Sequence, residues 1–402
     1  MKILQINKFH YLKGGAERCY FDTARILREE GHRVAFFAMQ HPANQSTQWQ
    51  KYFISQVDFH AKQTLWQKIK IAGKIIYNPE TARKLEKLIL DFKPDVAHLH
   101  NIYHQLSPSV IYVLKKHNIP MVMTLHDYNL ISPAYNLYNQ NKIYERACGQ
   151  KFYRCFFDKC VHNSYAQSLV AVIEAYINKW TGVYKNISVF ISPSKFLRDK
   201  FYASNFKGSI ECIANPLKID KVETNKDQNI KPYIFYAGRL AKEKGVDILI
   251  KAHALQKNKT DLIIAGAGPE KINLQNMVDK FKVNKTVKFI GHQDIDNIYN
   301  LMAKAETVII PSRCYENTPY SLREALELTR MVVCANVGGI IELAKNNQKA
   351  SFFELNDKFD LANKIDLAIE NSKKIKFESE ITIDTSKNYY QELITIYNRV
   401  TK

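Results

Sequence analysis

The sequence has no uninterrupted apolar run near 18 residues, which excludes a membrane-spanning helix. It has no C-x-x-C pair, the strongest cysteine spacing of a structural zinc site. Its seven cysteines are scattered over 402 residues, which fits a reduced compartment and suggests no disulfide framework. Met1–Asn7 lacks a signal-peptide pattern and reads as a strand entering a Gly-Gly turn, so a cytoplasmic protein is expected. Helix-turn-helix, zinc-finger and RNA-binding-sheet patterns are all missing, which weakens a nucleic-acid reading. Acidic residues are outnumbered, 39 against 58 basic ones, for a net charge of +19. A surface that basic suits anionic substrates or anionic lipid head groups.

What is present is the length and rhythm of a two-domain α/β protein. A chain of 402 residues exceeds what one hydrophobic core usually supports. Strand-like and helix-like segments alternate over 1–215, with strands at Ile3–Ile6, Val34–Ala38, Pro94–His100, Met121–Leu125 and Ile187–Ile191. Such alternation implies a parallel sheet with helices on both faces. Residues 216–231 are polar, lysine-rich and aperiodic, and read as a linker. The rhythm resumes over 232–385, with strands at Tyr233–Ala237, Asp261–Ala265, Val287–Ile290, Val308–Ile310 and Val332–Cys334, and helical spacing returns over 386–402. Two segments break the pattern. Residues 62–77 place Leu65, Ile69, Ala72 and Ile76 on one face with lysines elsewhere, as in helices that lie on anionic membranes or in an ordinary surface helix; the net charge favours the membrane. An insertion over 127–165 leads to a helix whose Leu169, Val172, Ile173, Tyr176, Ile177 and Trp180 make a core-facing stripe.

The stretch Tyr315–Glu327, Y-E-N-T-P-Y-S-L-R-E-A-L-E, puts Glu316 in a loop and Glu324 eight residues on, in the following helix. An apolar strand closed by Pro311-Ser312 precedes it, and a second strand and Gly338-Gly339-x-x-Glu342 follow. Open α/β sheets present ligand-binding groups in such strand–loop–helix connections, and a helix start near Thr318 favours an anion. The block resembles the Glu-x7-Glu signature of retaining glycosyltransferases of family four, which have the GT-B fold. The resemblance covers nearly the whole chain. It implies two doubly wound Rossmann-like domains facing a cleft, with a C-terminal helix crossing back to the first domain. It also implies that Glu316 lies by the donor-sugar hydroxyls, that Glu324 holds the nucleotide ribose, and that the helix start faces the diphosphate.

Other residues fit the same chemistry. A departing diphosphate gains negative charge while the sugar passes through an oxocarbenium-like state, so placed cations and a polar cradle are required. Gly238-Arg239 and Lys244-Gly245 offer a guanidinium fork and a flexible ammonium, and resemble the family motif that neutralises the leaving group. With protein cations in that role, the family needs no bound metal and no cofactor beyond its substrate. Gly14-Gly15 lets backbone approach a phosphate or sugar, and resembles the loop that closes over the donor. His126 follows a strand at the position of the family histidine that contacts the donor sugar. His98 and His100 share one strand face and read as polar residues lining a cleft. Asp294 and Asp296 match a D-x-D metal motif but read better as a helix cap. Cys148, Cys155, Cys160 and His162 could hold zinc, although ordinary reduced cysteines are the favoured reading. Asn317-Thr318-Pro319 replaces a glycine-containing run common in the family, which leaves the donor open.

The expectation is therefore a metal-independent, retaining hexosyltransferase-type enzyme. It would carry a sugar from a nucleotide-diphosphate donor to a lipid-linked or oligosaccharide acceptor in capsule, O-antigen or exopolysaccharide (cell-surface polysaccharide) biosynthesis. It would work peripherally at the anionic inner face of the cytoplasmic membrane. A nucleotide-sugar 2-epimerase or hydrolase of the same fold, or a basic nucleic-acid-binding protein, is the alternative.

Overall fold

The computed structural model describes residues 1–56, 73–223, 231–257, 260–375, 378 and 380–402. The basic segment expected over 62–77 falls mostly on 57–72, outside the described residues. The chain forms two compact units, one of residues 1–139, 144–216 and 385–402, the other of 140–143 and 217–384.

In the first unit, β1 (Lys2–Ile6), α1 (Gly15–Glu29), β2 (Arg33–Phe37), α2 (Pro79–Phe92), β3 (Val96–Leu99), α3 (Ser109–Lys116) and β4 (Met121–Thr124) alternate as read from the sequence. The insertion then adds a small hairpin, β5 (Tyr138–Asn139) and β6 (Lys142–Ile143), residues 140–143 of which group with the second unit, and two helices, α4 (Tyr153–Phe157) and α5 (Tyr165–Thr181). The alternation closes with β7 (Val189–Ser192), α6 (Lys195–Ala203) and β8 (Ile210–Cys212). The six-stranded parallel sheet has the order β2-β1-β3-β4-β7-β8. Local chemistry sets the helix starts: Asn78 accepts hydrogen bonds from the Glu80 and Thr81 N–H groups, with Pro79 in the first turn of α2.

The second unit runs β9 (Lys218–Glu223), β10 (Tyr233–Ala237), α7 (Val246–Leu255), β11 (Asp261–Ala265), α8 (Lys271–Lys280), β12 (Val287–Gly291) and α9 (Ile295–Lys304). It continues through β13 (Thr307–Ile310), α10 (Tyr320–Leu328), β14 (Val332–Ala335), α11 (Gly338–Ala344), β15 (Ala350–Phe353), α12 (Lys358–Ser372) and β16 (Glu380–Asp384). Its parallel sheet has the order β12-β11-β10-β13-β14-β15. The linker expected over 216–231 is in part a strand: β9 pairs antiparallel with β16, Glu223 opposite Glu380. Its aperiodic reading failed because only Ile219 and Val222 of that strand are buried.

The last helix, α13 (Ser386–Thr401), belongs to the first unit. Its Tyr389 hydroxyl lies 2.7 Å from Thr23 Oγ1, and its Tyr397 hydroxyl 2.6 Å from His98 Nδ1. In each sheet the chain reverses its direction of build, between β1 and β3 and between β10 and β13. The carboxyl ends of strands at such switch points splay apart and admit a ligand.

Candidate functional site

At the β10/β13 switch point the second unit gathers what the sequence pointed to. β10 delivers Arg239 and Lys244, and β13 runs through Pro311 and Ser312 into the loop of Glu316. Lys244 Nζ is hydrogen-bonded to Glu316 Oε1, and the Ser312 hydroxyl donates to the same oxygen at 2.8 Å. Burial by itself would lower the Lys244 ammonium, but the Glu316 carboxylate outweighs it and holds the group above its ordinary range. Arg239 is exposed and has no carboxylate partner among the described residues, as a phosphate-binding guanidinium requires.

Close backbone packing fixes this loop. Gly245 adopts φ +69°, and a Cβ there would sit 2.0 Å from the Pro311 carbonyl oxygen. Gly339 N–H donates to the Glu316 carbonyl at 2.9 Å, and a Cβ on Gly339 would lie 2.1 Å from the Asn317 carbonyl oxygen. Arg313 bridges back to Asp247 through two guanidinium nitrogens, at 2.8 and 2.9 Å. The helix begins at Tyr320, two residues later than expected from Thr318, because Pro319 takes the N-cap position without a capping side chain. Thr318 is buried, while Asn317 and Pro319 are half-buried in the approach to the helix. Glu324 lies inside α10, buried, and accepts a hydrogen bond of 3.0 Å from Tyr299 of α9. Ser312, Tyr299, Arg313 and Asp247 escaped the sequence reading. Only the four-residue spacing of Ser312 from Glu316 could have flagged one of them.

The first unit has its own cluster. Gly14 caps α1 and Gly15 opens it, both exposed just beyond β1. His126 follows β4 and stacks on His100 with ring centroids 5.1 Å apart. Its Nε2 lies 2.8 Å from His100 Nδ1, and His100 Nε2 lies 2.8 Å from Gln5 Oε1. With the amide oxygen accepting from His100, His100 in turn accepts from His126, which fixes one tautomer of each ring. His98 and His100 do not line a surface, as the sequence suggested. Both are fully buried, and His98 bonds Tyr397 and Thr124 Oγ1.

Burial holds His126 at about 4, against an ordinary 6.5, and burial with the nearby His126 holds His98 at about 3. A histidine with a depressed folded value stabilises fully above its unfolded value and loses that contribution as pH falls below it. The melting temperature is therefore expected to fall as pH drops from 6.5 toward about 4. His126→Gln is expected to remove about 1.4 kcal/mol per pH unit of that slope. An unchanged slope in the variant would show that His126 is not held neutral.

Two metal expectations resolve differently. Asp294 caps α9, accepting from the Asn297 N–H at 2.8 Å, as read from the sequence. Cys155 and Cys160 form a disulfide, Cα atoms 4.9 Å apart, which corrects the expectation of reduced thiols there. That bond removes two thiolates from the zinc set. Cys148 and His162 do not rebuild one: among the described residues no three His, Cys, Asp or Glu side chains converge on a metal position. Burial, with Glu145 nearby, pushes the Cys148 thiol up to about 11.

Two parallel-sheet Rossmann-like units, each with its polar cluster at a switch point, are the architecture of GT-B glycosyltransferases. Solved structures of that fold are similar over the full chain. Sucrose-phosphate synthase from Thermosynechococcus elongatus has TM-score 0.69 at 14% identity, covering 100% of this chain and 99% of that one. HepE from Anabaena, solved in complex with UDP, has TM-score 0.66 at 18% identity, covering 99% and 100%. Residues 13–221 match the family described as Glycosyltransferase Family 4 and residues 218–381 that described as Glycosyl transferases group 1. The chain belongs to this group of glycosyltransferases. A 42.6 kDa protein in the cps region of Klebsiella pneumoniae is 25% identical over 372 residues, 88% of this chain and 90% of the relative.

Proposed function

We propose that the chain transfers a sugar, with retained anomeric configuration and without a bound metal, from a nucleotide-diphosphate donor to a lipid-linked or saccharide acceptor of cell-surface polysaccharide. The observation that carries this reading is the meeting of Lys244, Ser312 and Glu316 at the β10/β13 switch point, beside an exposed Arg239. Arg239 and Lys244 would meet the charge growing on the departing diphosphate, helped by the uncapped start of α10. Glu316 would hold the donor-sugar hydroxyls, and Glu324, oriented by Tyr299, the ribose. Asn317, Thr318 and Pro319 would shape the sugar's surroundings. In the first unit, His126 would contact the sugar, and Gly14 and Gly15 would let backbone approach the donor. The UDP bound by HepE supports a nucleotide donor, and the cps-region relative supports a surface polysaccharide as product. No helix among the described residues is long and apolar enough to cross a membrane. The basic charge of the chain supports peripheral access to a lipid-linked acceptor.

Thermal melting with a panel of nucleoside diphosphates, in the presence of chelator, tests the donor reading. One diphosphate is expected to stabilise the protein by about 2.7 kcal/mol at a hundredfold excess over its Kd. The shift is expected to vanish in Glu324→Ala. A cooperative melt that no diphosphate moves would remove the donor site, and a shift that chelator abolishes would remove metal independence.

A further inference from the structure

Helix α5 carries Tyr165, Leu169, Ile173, Tyr176 and Trp180 on one side, within an arc of about 80° at 3.6 residues per turn. The sequence reading took Leu169, Val172, Ile173, Tyr176, Ile177 and Trp180 for a core-facing stripe; the structure buries Val172, leaves Tyr176 and Ile177 half-buried, and exposes Leu169, Ile173 and Trp180. Trp180 is 75% exposed, and Leu169 and Ile173 are each 44% exposed. Burial on this helix falls instead on Ser168, Val172 and Glu174. The insertion packs on that side and against Tyr176, building a small core of its own around Phe152, Cys155, Cys160 and Val172. Aromatic contacts extend the stripe onto α4: Phe156 packs against Tyr165 at 5.3 Å and against Phe157 at 5.5 Å, and Phe157 is 68% exposed. Tyr176 stacks on Trp180 at 5.5 Å, so the apolar face is continuous.

The charges along this stretch are mostly positive. Lys151, Arg154, Lys159, Lys179 and Lys185 lie between residues 151 and 185, against only Asp158 and Glu174. Both carboxylates are engaged, Asp158 by Arg146 at 2.9 Å and Glu174 by His104 at 2.8 Å. Lys159 Nζ sits 4.4 Å from the Tyr165 ring centre, at the edge of the stripe.

We propose that the outer face of α4 and α5 is a docking surface for an anionic lipid bilayer. Trp180, Ile173, Leu169 and Phe157 enter the boundary between head groups and acyl chains while the surrounding lysines meet lipid phosphates. Exposed tryptophan and tyrosine with flanking lysine is the composition of a membrane–water interface. A stripe of about 22 Å, the rise from residue 165 to residue 180, lies flat on a plane. A second copy of the chain is the poorer occupant, because two identical cationic rims would repel across the contact. The inference deepens the membrane-facing part of the proposed function and rests on it, and it places that contact on described residues.

Co-sedimentation with vesicles of phosphatidylcholine alone, and of phosphatidylcholine mixed with phosphatidylglycerol, tests the surface. The full chain is expected to partition onto the mixed vesicles. The triple variant Leu169→Ser/Ile173→Ser/Trp180→Ser is expected to bind them roughly 30-fold more weakly, or less still. Its melting shift with a nucleoside diphosphate should be retained, which shows that it folds. A control pair on the second unit, Ile272→Ser/Phe359→Ser, should bind as the parent does. Lys159→Glu/Lys179→Glu should weaken binding to the mixed vesicles only. Unaltered vesicle binding by the triple variant would overturn the assigned face while leaving membrane association standing. A parent protein that binds neither vesicle would overturn both. A triple variant that loses self-association in sedimentation, with vesicle binding intact, would give the face to a second copy.

Discussion

Replacing Glu316 by glutamine is expected to lower turnover roughly 10²- to 10³-fold, the usual loss when one preorganised polar group leaves a catalytic site. Glutamine keeps the shape and leaves Ser312 an acceptor, so the loop should hold. What disappears is the countercharge of Lys244. Burial then acts on that ammonium without the opposition of the Glu316 carboxylate, which in the native site holds it above its ordinary range. One substitution therefore disturbs both the carboxylate proposed to hold the sugar and the cation proposed to meet the diphosphate. For that reason, Glu316→Gln and Lys244→Met are expected to be strongly non-additive in a double-mutant cycle. Turnover at saturating donor is the measurement. A fall of less than about tenfold, in a protein that melts normally, would end the catalytic assignment of Glu316.

The second large effect is structural. Gly245→Ala is expected to cost about 2–5 kcal/mol, from a left-handed backbone and a forced contact. The new Cβ would be 2.0 Å from the Pro311 carbonyl, and φ at this residue is +69°. Pro311 leads directly into Ser312, so relief of the clash must displace the hydroxyl that holds Glu316. For a unit of this size, the melting temperature should drop by roughly 5–15 °C. Donor binding should weaken along with it. A variant that melts within a degree or so of the parent would show that the two loops are not locked together as described.

Much of this fold can be read from the chain. β10 and β11 fall where the apolar runs place them, because strands buried on both faces are continuous hydrophobic segments. Elements with mixed burial were lost. β16 and β9 form a two-stranded ribbon with one apolar face, whose alternation is too short to register. The α5 stripe has the correct period, but a period reports only that one face is apolar and not what covers it. At the site, the spacing of Glu316 and Glu324 and the Arg239–Lys244 pair stood out because they follow apolar strand runs and resemble a family motif. Their supports did not. Tyr299 reaches Glu324 from a neighbouring helix, and Gln5 reaches His100 from a neighbouring strand, contacts that only parallel packing creates. The disulfide was equally illegible, since a five-residue separation carries no geometry until α4 forms.

The placement of α13 bears on how the protein is made. Residues 385–402 leave the ribosome after the whole second unit, yet they belong to the first. A nascent chain can assemble the β1–β8 sheet early, but His98 waits for the Tyr397 hydroxyl and Thr23 for that of Tyr389. Until then the groove that receives α13 stays wet, and the histidines beneath His126 have only part of their scaffold. Domains generally fold as units in order of synthesis. Here the earliest unit is the last to be completed, so a chain halted before residue 385 would carry an intact second unit and an open, chaperone-accessible first unit.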